Sequence, residues 1–364
     1  MSEDYQKRES KAVDAIKKAI PKKLKQNMLA SSKGMFCELY ETAAVPDYYV
    51  ATACDGVGTK LILAEAMDIY DTVGIDLVAM NANDLVCFGK VAPFMFINYI
   101  AVQEKFASKG ITGDVLKGMV KGLEMCEAAD ILKNDIHVQL GKGETASVDE
   151  LIAGPKQGMA FDVAGSMIGF IAKKDFSKRV PQVGDKIIAL KSSGPHSNGY
   201  TDLRLKLLNG DFETRPEWKK RYTGKHSLND KFDGSTIGKL LLEPTKLYVR
   251  VINAIASKFD CVYANNTGYG LKNLNRFDTK VSFEITDPIE PQPIFKLVQE
   301  EARFTDEQMY TKFNMGMGFF VITSDPEGVL KVCKEYKQEA KIIGEVKKSD
   351  TTQVVLKDMV FKGY

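Results

Sequence analysis

Histidine is scarce in this 364-residue chain: there are three, with no HxH or HExxH pattern among them. The six cysteines, Cys37, Cys54, Cys87, Cys126, Cys261 and Cys333, are each more than ten residues from the next. That spacing excludes a CxxC redox pair and a zinc ribbon, and leaves the thiols as small apolar residues of a reduced interior. No apolar run is long enough for a bilayer. The longest, Val91 to Val102, is broken by Pro93 and Asn98 and falls short of the ~20 residues a spanning helix needs. Neither charge sign dominates, with 50 Lys+Arg against 48 Asp+Glu and a net of +2. Neither nucleic acid nor a membrane surface is therefore expected as a partner. Also missing are a G-x-S-x-G elbow, the Gly–Lys–Ser/Thr order of a Walker A loop, a dinucleotide fingerprint and any short-period repeat. The opening MSEDYQKRES has no apolar signal region, so a cytoplasmic protein is expected.

What is present is an ordinary globular composition, 44% hydrophobic and 27% charged, in a chain long enough for two domains. The segment KKDFSKRVPQVGD (173–185) is polar and carries a Pro and a Gly, which marks a boundary between expected domains 1–172 and 173–364. Apolar spacings of three and four predict helices over residues 10–26, 60–68, 75–88 and 112–129. β-Branched and aromatic runs predict strands over 47–54, 94–102, 136–140 and 161–172. The second half alternates in the same way, with strands over 186–191, 260–264, 317–323, 341–347 and 353–356. Helices are expected over 200–208, from Pro244 and over 326–340, and an irregular excursion over 209–238. Helices and strands mix in both halves, so the expected class is α+β, a mixed α/β fold.

Four glycine-rich loops follow expected strands. Glycine lets backbone N–H groups approach phosphate oxygens, and a following helix N-terminus adds positive partial charge. In Asp55-Gly56-Val57-Gly58-Thr59-Lys60 the sequence suits either a capped strand-to-helix turn or a phosphate loop. In the second case Asp55 would hold Mg²⁺ and Lys60 would meet phosphate charge. Asn81 and Asp84 share a helix face, with Asp76 about 80° round from Asp84. Asp76 could cap that helix, whereas Asp84 among apolar neighbours needs either a lysine or a metal as partner. Gly143-Glu144-Thr145 is a second loop. The third, Ser192 to Gly199, is eight small or polar residues before a helix, with one titratable group, His196; Asn265 to Gly270 is the fourth.

The motifs DGVGTKL (55–61), IDLVAMNANDLV (75–86), GETA (143–146), FDVAG (161–165), SSGPHSNGY (192–200), EPTKLYV (243–249) and MYTKFNMGMG (309–318) resemble, in order, those of the phosphoribosylformylglycinamidine cyclo-ligase (aminoimidazole ribonucleotide synthetase) family. KIIGEV (341–346) is similar to its closing strand. The resemblance implies a two-domain protein whose N-terminal domains pair through a β-barrel in a homodimer, with ATP, Mg²⁺ and a small phosphoribosyl substrate. It implies metal ligation by Asp55, Asp84 and Glu144. Nucleotide contacts would come from Asp55, Gly56, Gly58, Thr59, Lys60, Asp76 and Asn81, and substrate contacts from Thr145, Ser193, Gly194, His196, Ser197 and Asn198. Lys60 and His196 would be the catalytic side chains. Other ATP-using members of the superfamily (thiamine monophosphate kinase-like proteins among them) and a non-catalytic nucleotide-binding homologue are the alternatives. The chain departs from the family pattern at Lys142, usually Gly, and over Ser147 to Glu150. It departs again in Asn265-Asn266-Thr267-Gly268-Tyr269-Gly270, where the family usually has His-x-Thr-Gly-Gly-Gly.

Overall fold

The computed structural model describes residues 11, 15, 16, 18–277 and 279–363. Of the helix expected over 10–26, Ser10 and Val13 lie outside the described residues. Ile16 and Leu24, expected to share one face of that helix, are 60% and 66% exposed. Pro21 does interrupt the segment, and a short 3₁₀ turn, Lys22–Lys25, follows it.

Six strands form the first sheet: β1 (Glu38–Tyr40), β2 (Tyr48–Gly56), β3 (Ala92–Val102), β4 (Gln139–Leu140), β5 (Glu144–Ser147) and β6 (Phe161–Ala172). β2, β6 and β3 lie antiparallel in that order, β1 flanks β2, and β4 and β5 both run parallel to β3. β6 shows why the sheet has two unlike faces: its residues alternate between the interior and the open side along twelve positions. The interior face is covered by helices α1 (Leu61–Met67), α2 (Asp71–Leu85) and α3 (Ile111–Cys126). α2 and α3 cross in close contact through glycine: a Cβ on Gly118 would lie 1.8 Å from the Asp71 carbonyl oxygen, and one on Gly74 2.1 Å from that of Val115. Toward the opposite face and the β4 edge, Ile97, Tyr99 and Leu140 are each about two-fifths exposed.

The second half adds β7 (Lys186–Lys191), a small ribbon of β8 (Lys231–Phe232) and β9 (Ser235–Thr236), and then β10 (Val262–Asn265), β11 (Val281–Ile285), β12 (Met317–Thr323), β13 (Ala340–Lys348), β14 (Gln353–Leu356) and β15 (Met359–Lys362). Its seven-stranded sheet has the order β10-β12-β7-β13-β11-β14-β15, antiparallel except for β11 with β14. Helices α4 (Tyr200–Leu207), α5 (Val249–Ala256), α6 (Pro293–Ala302) and α7 (Pro326–Glu335) belong to this half. Three local expectations change. Pro244 starts no helix, because residues 244–248 are bonded instead to the first half and to the 192–199 loop; α5 begins at Val249. Glu144 and Thr145 lie in a strand, because β3 offers them a parallel edge to pair with. The strand expected over 136–140 shrinks to two residues. Five cysteines are buried, Cys54 is exposed, and all six are free thiols. Among the described residues no helix is long and apolar enough to cross a membrane.

Candidate active site at the junction of the two sheets

Two of the expected loops meet. β2 ends in the 55–60 loop, and Gly58, at φ +71° with open space where a Cβ would sit, turns the chain into α1. Thr59 Oγ1 lies 3.2 Å from Thr201 Oγ1, in the first turn of α4. Gly199, at φ +74°, starts that helix. The glycine turn of the first half and the helix N-terminus that follows Ser192–Gly199 are therefore neighbours.

Beneath them is a closed ionic hub. Lys60 is fully buried. Its Nζ lies 2.8 and 3.0 Å from the two Asp76 carboxylate oxygens and donates to the carbonyls of His196 (2.9 Å) and Glu243 (2.7 Å). Asp76 Oδ1 also accepts from Thr245 N (2.7 Å) and Thr245 Oγ1 (2.6 Å). Burial lowers the Lys60 ammonium, and Asp76 counters that shift. All three ammonium protons are engaged within the protein, so Lys60 has none for an ATP phosphate. Asp76, also fully buried, does not face a nucleotide. The expectation for both residues is corrected: together they fasten loop 192–199 and segment 243–245 to α2.

Loop 192–199 is held on all sides. Ser193 Oγ donates to the Pro244 carbonyl (2.6 Å), and Ser197 Oγ lies 3.0 Å from Thr245 Oγ1. The Gly194 carbonyl accepts from Asn314 Nδ2 (2.9 Å), while Asn198 Oδ1 approaches Gly268. His196 is 3% exposed, at φ +59°, and packs beside Tyr248. Burial, helped by the charges of Lys60 and Lys246, drops its imidazole to about 3. It stays neutral at physiological pH, with Nε2 buried and without a hydrogen-bond partner. That corrects its expected use as a group that gains and loses a proton near neutrality. Lys246, in the EPTK motif, is the half-buried cation whose charge reaches His196; it lies outside the Gly-rich loops, and the motif itself is its sequence signal.

The acidic residues divide. On the interior face, Asp84 in the last turn of α2 feels the charge of Asp55 at the end of β2. Asn81 lies one turn before Asp84, and its Nδ2 points to the Leu77 carbonyl (2.9 Å) and the Asp55 carbonyl (3.5 Å). Burial pushes the Asp84 carboxyl up to about 7, against the hydrogen bond from Asn265; the charge of Asp55 adds to the rise. Asp55 keeps its solvent contact, and partial desolvation by nearby protein raises its carboxyl, with the Gly56 N–H opposing. Glu144 is elsewhere. In register, Asp55 pairs with Gly165, which pairs in turn with Asn98, whereas Glu144 pairs with Tyr99 and so faces the opposite side of the sheet. β6 and β3 intervene, a separation of ~14 Å at the usual strand spacing. Among the described residues no group of three or more His, Cys, Asp or Glu could hold a metal. The expected trio is corrected to a pair, because strand β5 carries Glu144 to the far edge; Thr145, its neighbour on that edge strand, is exposed as well. The pair still fits Mg²⁺. Asn81 Oδ1 is buried without a hydrogen-bond partner beside two carboxylates, an all-oxygen donor set. Mg²⁺ is commonly held by one or two carboxylates, with waters and substrate phosphates filling its other positions.

Residues 40–171 match the family described as AIR synthase related protein, N-terminal domain, and residues 182–357 match its C-terminal domain. The phosphoribosylformylglycinamidine cyclo-ligase of Methanosarcina acetivorans is 36% identical over 282 residues, 77% of this chain and 75% of that protein. The chain belongs to the AIR synthase related family. The cyclo-ligase of Methanosarcina mazei is 35% identical over 87% of this chain and 84% of its own length. Among solved structures, AaThiL complexed with AMPPCP and TMP shares the fold at a TM-score of 0.54 and 12% identity, covering 97% of this chain and 96% of that one. The mixed α/β, two-domain architecture expected from the motifs is thus that of the family.

Proposed function

We propose that the chain is an ATP-dependent cyclo-ligase that closes the imidazole ring of aminoimidazole ribonucleotide. The observation that carries this reading is the meeting of the 55–60 turn, the Asp55–Asp84 pair and the 192–201 loop and helix start, in a chain about 35% identical to named cyclo-ligases. The γ-phosphoryl group of ATP is transferred to the formyl oxygen of formylglycinamidine ribonucleotide. An amidine nitrogen of the same substrate attacks the formyl carbon. The C–O bond then breaks, the oxygen leaves with phosphate, and the nitrogen loses its proton. ADP, phosphate and aminoimidazole ribonucleotide result.

Such chemistry asks a protein mainly to position groups and to neutralise charge. Asp55, Asp84 and Asn81 would hold Mg²⁺, which supplies charge neutralisation at the ATP phosphates. Gly56, Gly58 and Thr59 leave backbone open toward those phosphates. Ser193, Gly194, Ser197 and Asn198 form the wall against the phosphoribosyl substrate, and Lys246 supplies the cation first assigned to Lys60. His196 shapes that wall as a neutral ring. Domain division at 172/173, a cytoplasmic setting, and a homodimer joined through the open face of the first sheet complete the reading; exposed Ile97 and Tyr99 support the last. Incubation with formylglycinamidine ribonucleotide, ATP and Mg²⁺ is expected to yield aminoimidazole ribonucleotide and ADP in equal amounts. Absence of both products would overturn the assignment.

A further inference from the structure

Asn265 ends β10 and is 3% exposed, and its backbone is fixed by pairing with Phe319 of β12. Its Nδ2 donates to Asp84 Oδ1 at 2.8 Å. The bond reaches from the second sheet to the last turn of α2. Asn83 reinforces the same junction, donating to the Lys246 carbonyl (2.8 Å) and accepting from Tyr248 N (2.9 Å). On the other side, Arg276 donates to the carbonyls of Gly34 (2.8 Å) and Met35 (3.1 Å), lies over the Phe36 ring, and extends its charge to Asp84.

Resting on the cation site proposed above, we infer that Asn265 is a positioning residue that sets the Asp84 carboxylate for a divalent cation. The amide binds one carboxylate oxygen and holds the plane of the group. Among the described residues no hydrogen bond is made to the other oxygen, Oδ2. An amide also suits the role by its charge. It donates without bringing a positive charge to Asp84, whereas a cationic donor at the same place would compete with the metal. Partners that orient a metal ligand in this way typically change affinity 10–100-fold when removed. Because Asn265 belongs to the second sheet and Asp84 to helix α2 of the first half, the bond also ties cation affinity to the seating of the two halves.

The test is Mn²⁺ binding to the full-length chain, followed by electron paramagnetic resonance without nucleotide or turnover. Asn265→Ala is expected to weaken Mn²⁺ at least ~10-fold. Asn265→His, which keeps a neutral donor, is expected to stay within about 3-fold of the unaltered protein. In turnover, Asn265→Ala should raise the Mg²⁺ concentration for half-maximal rate and leave KM for the phosphoribosyl substrate unchanged. If Asn265→Ala does not fold, the His variant and Asn265→Leu, which fills the space without a donor, make the same comparison. An unchanged Mn²⁺ dissociation constant in a folded variant lacking the donor overturns this inference alone. Failure of the unaltered chain to bind Mn²⁺ overturns the cation site and the inference with it.

Discussion

Two acidic groups lie on the same helix, eight residues apart, and the protein treats them in opposite ways. Asp76 is enclosed and matched in charge: Lys60 supplies a cation beside both its oxygens, and Thr245 gives two hydrogen bonds to Oδ1. Among the described residues Asp84 receives one hydrogen bond to its side chain, the neutral one from Asn265; it feels the charge of Arg276 from farther off and that of another carboxylate, Asp55. A buried pair matched in charge is a structural fastening, whereas two acids on one face, reached by the charge of a single guanidinium, mark a place for a cation from outside. Asp76 is fully enclosed and Asp84 only partly so; what separates their roles is how the charge around each is matched.

The largest effect should come from the unmatched acid. Asp84→Asn is nearly isosteric and can still accept from Asn265, so the fold should melt within a few degrees of the original. Turnover should nevertheless drop at least ~10³-fold, about 4 kcal/mol in barrier. Parallel measurement of ADP release and thermal unfolding checks both halves of the statement, and a rate near that of the unaltered enzyme would place the cation elsewhere.

The matched acid should behave in reverse. Lys60→Met leaves Asp76 buried without its cation, which typically costs about 3–5 kcal/mol. Urea unfolding should show that loss, and Lys60→Met combined with Asp76→Leu should lose less than the two single changes added together. Equal stability of Lys60→Met and the parent would make the hub dispensable and dissolve the contrast with Asp84.

Much of this site is written in the sequence, but its division of labour is not. The turn at 55–60, the helix over Asp71–Leu85 and the strands Phe161–Ala172 and Lys186–Lys191 follow from glycine placement and apolar period, because those signals are local. Lys60 beside a glycine turn reads as a phosphate ligand, and only its contacts with Asp76, His196 and Glu243 show otherwise. Those partners are 16, 136 and 183 residues away. Glu144 reads as a loop acid until β3 is seen to capture it as a strand. Asn265 stood out only as a departure from the family loop; its bond to Asp84 spans 181 residues. Local pattern reveals which residues could do chemistry, and long-range pairing decides which are free to.

The contrast between matched and unmatched groups extends to pH. His196 is buried neutral, its imidazole near 3 against an ordinary 6.5. Below pH 6.5 the unfolded chain takes up a proton the folded one refuses, so stability falls as pH drops from 6.5 toward 3. Between pH 7.5 and pH 5 the loss is about 2 kcal/mol. His196→Asn, which tolerates the positive φ, should flatten that limb in chemical unfolding followed across pH; an equally steep limb in the variant would move the titration to another group.

A carboxylate outside the site should give the smallest effect and the opposite slope. Glu65 is buried against the 154–156 turn, where its Oε1 accepts from Lys156 N at 2.6 Å. Burial raises it from 4.5 to about 7, with Glu213 adding and Arg215 and Lys156 opposing. Its raised pKa favours the folded state below pH 4.5, and that advantage fades as pH climbs through 7. Glu65→Gln should therefore gain about 1–3 kcal/mol at pH 8 and nothing at pH 4. Turnover should be untouched, since Glu65 holds a turn and not a ligand. Stability curves for Glu65→Gln and His196→Asn, taken in the same buffers, should diverge from the parent at opposite ends of the pH range. If both diverged at the same end, the sign of one of the two burial effects would be wrong.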